Sequence, residues 1–339
     1  MSFITTLIER GRSGPRKVAR QQGRRARDFV DETEPEALAV AALVALSLVA
    51  ALVGFLLVSA LTVVPLAAFV VATVYGWFRH QEVTARILTL TTTVSTLLIL
   101  GLIIVFIFLE SIPVVRYESA TVFGVSVPGL RLFVQTRWDA VSDPIRFSMV
   151  PMIHGTVMVT LIATAVAAPL GVSAALFLSE IAPAPVREVV KPGVEILAGI
   201  PSIVYGFIGF TILSPWASDQ FRLTGQGTYL FVGIVVGLMA LPTVVSAAVL
   251  LGVGRAIGET MAATVMLKGV PRLTDPLYNV FYGQETLTSI IARNYGDADG
   301  LQMDALFIAG VILFITVLFI SIGSQYIEWR MKRQFGGDV

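Results

Sequence analysis

Residues 37–78 run for 42 positions without one charged side chain. A helix needs about 20 apolar residues to cross about 30 Å of hydrocarbon, so this stretch supplies two crossings. The sequence predicts a turn between them near Leu61 to Pro65, where proline disfavours a continuous helix. The rest of the chain fits the same class. Its hydrophobic fraction is 55%, its mean hydropathy +0.82 and its charged fraction 14%, against about 25% for a soluble domain. The chain is therefore read as an all-α polytopic membrane protein.

Basic residues gather before the first apolar run, at Arg10, Arg12, Arg16, Lys17, Arg20, Arg24, Arg25 and Arg27, followed by an acidic patch from Asp28 to Glu36. Such a segment beside a span is a topology signal and rests on anionic lipid, so the partner it implies is the bilayer and not nucleic acid. It predicts a cytoplasmic tail over 1–36. No cleavable signal peptide is expected, because the apolar run starts only at Ala37 and exceeds the length of a signal core. The chain has no cysteine, which excludes disulfides, thiol catalysis and cysteine-ligated metal. His80 and His154 have no acidic companions at ligand spacing, so neither a metal site nor a cofactor is expected.

Further spans are predicted over 87–109, 152–179 and 196–215, with short inside loops at 79–86 and 180–191. Residues 110–150 are expected outside, lying against the surface, with Trp138 at the membrane interface. Thr228 to Leu267 is 40 residues without a polar loop, about 60 Å as one straight helix and twice the hydrocarbon core. It is split near Ser246 into spans 228–246 and 247–267. Residues 271–300 are external, with 286–300 a re-entrant or surface element, and 303–326 is the last span. The count is eight, with both termini inside. The expected organisation is a tail (1–36), N-terminal transmembrane helices (37–109), an external segment (110–150), a membrane core (151–330) and a C-terminal tail (331–339).

Two opposite charges sit inside the apolar run LGVGRAIGETMAATVMLK (251–268): Arg255 and Glu259. A charge at mid-bilayer costs about 2.5 to 3.5 kcal/mol on insertion scales, so such residues face a protein interior or a polar path. Four residues apart, they are expected on one helix face. Either they neutralise each other as a packing device or they line a solute pathway, and intramembrane ionisable residues favour the second. The spacing of Gly252, Gly254 and Gly258 does not fit a dinucleotide loop. The glycines are read as a helix-packing face, with Gly254 and Gly258 as a small-xxx-small pair. No Walker motif or nucleophile elbow is present, so any energy source resides in another chain.

Five stretches together resemble one family: HGTVMVTLIATAVAAPLGVSAALFLSEIAP (154–183), KPGVEILAGIPSIVYGFIG (191–209), LPTVVS (241–246), GRAIGETMA (254–262) and TLTSIIARNYG (286–296). They resemble, in order, the permease subunits of phosphate ABC importers, and GETMA favours the PstC type. The resemblance implies a type I ABC importer permease fold, here with two extra N-terminal transmembrane helices. It also implies a PstA-type sister permease, a cytoplasmic PstB-type ATPase dimer and an external PstS-type phosphate-binding protein. Arg255 and Glu259 match the family's charged pair in the substrate pathway; neither is catalytic. One departure stands out: the family's EAA-type cytoplasmic loop, which docks into the ATPase, is missing at 246–247. The expected function is the permease half of a phosphate importer. The alternatives are a transport-incompetent assembly or regulatory subunit, and a secondary transporter.

Overall fold

The computed structural model describes residues 34–58, 60–222, 227–246, 249–269 and 271–334; the basic tail and the last five residues lie outside them. The chain divides into two compact units at residues 103 and 104. In the first, α1 (Pro35–Leu56) is followed by a 3-10 turn (Ala60–Thr62) and α2 (Val63–Arg79). The chain turns where expected, and Pro65 falls in the first turn of α2, where its missing N–H breaks no helical bond. The expected loop at 79–86 does not form. His80 alone separates α2 from α3 (Gln81–Glu110), and its N–H bonds Gly76 O at 2.7 Å. Gly76 makes that close turn possible: a Cβ there would lie 2.8 Å from Val40 Cγ1 and collide with Thr84 Oγ1. Leu46, Phe55, Val71, Leu97 and Leu98 are all exposed, an apolar surface far larger than a water-soluble unit presents.

In the second unit α6 (Val150–Leu176), extended by a π-helical turn to Ile181, lies against α10 (Tyr229–Ser246). Two glycines four residues apart set the approach. A Cβ at Gly233 would sit 2.5 Å from Ile162 Cβ, and one at Gly237 would sit 2.9 Å from the Ala163 carbonyl. In a membrane, where apolar burial gains little, such backbone contact drives helix association. The small-xxx-small pair of this core is thus Gly233 and Gly237.

Three expected elements differ. The inside loop at 180–191 is helical, because α7 spans Ala184–Gly199, and the straight span over 196–215 is replaced by a bend of 86° before α8 (Ser202–Ile208). The cause is local: a residue before proline is pushed out of the helical region, and Ile200, preceding Pro201, is extended at φ −69°, ψ 125°. A π-helical turn at Gly209–Leu213 then leads into α9 (Ser214–Phe221). The expected span 247–267 is absent as well. Its place is taken by α11 (Val249–Ile257) and α12 (Met261–Met266); nine residues reach only about 14 Å, half the hydrocarbon thickness. Six helices among the described residues are long and apolar enough to cross a membrane, or seven with the bent pair, so the count of eight is not upheld.

The segment after α3 is folded and packed. It contains α4 (Ile112–Tyr117), a hairpin of β1 (Ala120–Val122) and β2 (Val125–Val127), and α5 (Leu130–Val134). Buried Glu118 accepts the Phe147 N–H at 2.8 Å and Gln135 Nε2 at 3.3 Å. Trp138, expected at the interface, is buried edge-on against Phe147 with centroids 4.9 Å apart. The two rings belong to a core that includes Leu287, Ile290 and Leu306. That core draws in α13 (Leu287–Asn294) and α14 (Gly300–Gln334); of the 286–300 stretch, residues 286–290 are buried, whereas 291–300 are half-buried or exposed and stay at the surface.

Candidate functional site

The site is built around the interruption between α11 and α12. Helical bonding closes with Gly258 N–H to Gly254 O at 3.2 Å and Glu259 N–H to Ala256 O at 3.4 Å, and α12 starts only at Met261. Arg255 lies in the last turn of α11 and Glu259 beyond its end. The expectation that they share one helix face is therefore corrected, and among the described residues no ion pair joins them. The Arg255 guanidinium is exposed, and Nη1 donates to Thr243 Oγ1 of α10 at 3.2 Å. A guanidinium has five N–H donors in a planar fork, so this bond leaves an open face suited to an oxyanion.

Glu259 is occupied differently. Its Oε1 accepts the Ala262 N–H at 3.2 Å, capping the start of α12, and its carbonyl accepts Thr288 Oγ1 at 2.8 Å. A carboxylate at that end satisfies an orphan N–H and complements the helix dipole. Of the three glycines expected to pack helices, Gly252 does so within this chain, since a Cβ there would lie 2.5 Å from Val244 Cγ2. At Gly254 a Cβ would meet nothing within 4 Å, and at Gly258 only carbonyls of its own turn, the nearer at 3.6 Å. Within this chain those two leave the ground beside Arg255 open.

The structure adds residues that sequence reasoning did not single out. Glu285, 1% exposed, accepts Ser289 Oγ at 2.5 Å and is ion-paired with Arg293. Burial raises the Glu285 pKa, while the Ser289 bond and the Arg293 charge lower it. Arg293 Nη2 also donates to the carbonyls of Thr264, at 2.6 Å, and Leu267. Thr286 and Ser289 form a reciprocal capping box on α13, and Leu287 N–H bonds Thr156 Oγ1 of α6 at 3.0 Å. The Thr-x-x-Ser spacing is a readable cap signal, whereas the reach from Arg293 to Thr264 has no local signature. His154, one of the two histidines, spends Nε2 on Leu277 O at 2.8 Å.

No family model matches the chain. Curated relatives do. The probable ABC transporter permease protein YqgH of Bacillus subtilis is 29% identical over 63% of this chain and 82% of its own length. The phosphate transport system permease protein PstC of Xylella fastidiosa is 26% identical over 63% and 83%, and that of Mesorhizobium japonicum 26% over 72% and 88%. The chain is a homologue of the PstC permeases. It is accordingly a multi-pass membrane protein. The comparison with YqgH also carries a length difference. It runs over 259 positions, and 63% of 339 residues is about 214, so about 45 positions have no residue here.

Proposed function

We propose that this chain is a permease subunit of an ATP-driven phosphate importer, forming half of the translocation pathway and performing no chemistry itself. The observation that carries the reading is the exposed Arg255 guanidinium, held by Thr243 at a helix break in a homologue of PstC permeases. Phosphate is matched by a planar fork of charged donors, and an open, singly tethered fork permits release as well as capture. Glu259 contributes by fixing the break through its cap on α12. A sister permease, a cytoplasmic ATPase dimer and an external phosphate-binding protein complete the machine, with ATP hydrolysed on the ATPase. The basic residues flanking the first and last spans favour cytoplasmic termini, which requires an even number of crossings: the six long helices, or the bent pair and the broken α11–α12 segment crossing in addition. With those partners reconstituted, Arg255→Gln should abolish phosphate uptake while assembly persists. Arg255→Lys should restore little, because an ammonium lacks the fork. Normal uptake by the glutamine variant would remove Arg255 from the pathway.

A second reading has its own observation. α10 ends at Ser246 and α11 begins at Val249, leaving two residues between them where the resemblance expects an ATPase-docking loop. On this reading the chain assembles with its partners but does not transmit the ATPase stroke. Splicing an EAA-type loop after Ser246 should then switch on ATPase stimulation by the binding protein. Stimulation and uptake by the unmodified chain would exclude this reading.

A further inference from the structure

We infer that the ion pair between buried Glu285 and half-buried Arg293 is a clamp that positions the broken α11–α12 segment, with Arg293 acting as a C-terminal cap on α12 and not as a substrate ligand. The inference deepens the phosphate reading, since the segment it holds carries Arg255.

Start from what a six-residue helix lacks. α12 has too few residues to satisfy its own terminal N–H and C=O groups, and an isolated helix of that length has no stability of its own. Its ends must be held from outside. At the N-terminal end Glu259 accepts the Ala262 N–H, and Thr288 grips the Glu259 carbonyl. At the C-terminal end Arg293 reaches the carbonyls of Thr264 and Leu267. The polarity is right at both ends: carboxylate at the N-terminus, cation at the C-terminus. Thr288 and Arg293 both come from α13, so one helix holds both ends of the other.

Glu285 explains why Arg293 stays there. It is 1% exposed, bonded by Ser289 and paired with Nη1 of Arg293. The backbone around it is fixed too: Thr286 is capped, Leu287 is tied to Thr156, and the Glu285 carbonyl leaves no room for a Cβ at Gly155, 2.5 Å away. Nη1 donates to the carboxylate and Nη2 to two carbonyls, three bonds against the single one at Arg255. Phosphate therefore finds at Arg255 an open guanidinium and at Arg293 a committed one.

The test reads α12 directly, by amide hydrogen exchange over 258–268 in the full chain, with 229–246 as an internal control. Arg293→Gln should raise exchange over 258–268 by about tenfold, the usual worth of a lost cap, and leave α10 unchanged. Arg293→Lys, which keeps a cation near the carbonyls, should stay within about threefold of the parent. Leaving Glu285 buried without its partner risks misfolding, so Glu285→Met with Arg293→Met removes both charges together. This double variant should fold and still show the raised exchange. Unchanged exchange over 258–268 in the double variant, or equal acceleration in α10, overturns the clamp. The outcome is independent of phosphate: Arg255→Gln should leave exchange over 258–268 as in the parent while uptake fails, so the two readings stand or fall separately.

Discussion

Arg255 and Arg293 carry the same group and are used in opposite ways. One donor of Arg255 meets a threonine hydroxyl and its side chain is exposed, whereas Arg293 is wedged among a carboxylate and two carbonyls. Glycines divide in the same manner. Gly237 is required by backbone contact with Ala163, so Gly237→Val should destabilise the chain by about 1 to 3 kcal/mol through overpacking, measured by thermal unfolding in detergent. Gly254→Ala should leave the stability of the isolated chain within about 0.5 kcal/mol, because nothing in the chain lies within 4 Å of the new methyl. A large loss at Gly254 in isolation would mean that α11 sits elsewhere.

At the scale of elements, proline and capping chemistry set the breaks. Pro201 bends the α7–α8 pair by 86° and Pro65 is harmless in a first turn, the difference being position and not residue type. Pro169 sits inside α6 without ending it, as neighbouring helices permit in membranes. The capping box on α13 decides where the segment after residue 285 becomes helical. Thr286→Ala removes the acceptor of the Ser289 N–H in a buried setting and should cost about 1 kcal/mol, with Thr286→Ser close to neutral. Equal losses for alanine and serine would show that the methyl group and not the cap matters.

Across the whole molecule the proposed topology assigns each loop a side of the membrane. The hairpin of β1 and β2 is exposed in the segment that follows α3, and the proposed topology, with a cytoplasmic N-terminus, expects it outside. The absence of native cysteine makes this directly measurable. Ser126→Cys should label with an impermeant maleimide on intact cells, and Ser13→Cys only after permeabilisation. The reverse pattern inverts the protein in the membrane.

Membrane class, the first two spans and their turn, the division at Ser246 and the presence of charged Arg255 within an apolar run were all legible in the sequence. Hydrophobic run length, proline position and the cost of a buried charge are local quantities, readable residue by residue. The interruption after Ile257 was not, because GRAIGETMA reads as continuous apolar helix. Its end depends on Glu259 turning back to cap Ala262 and on Thr288, 29 residues away, holding the Glu259 carbonyl. The burial of Trp138 and the pairing of Glu285 with Arg293 likewise depend on which segments meet. Run length fixes how much chain can enter the bilayer; only tertiary contacts decide which polar groups find partners there, and so which charge is left free to act.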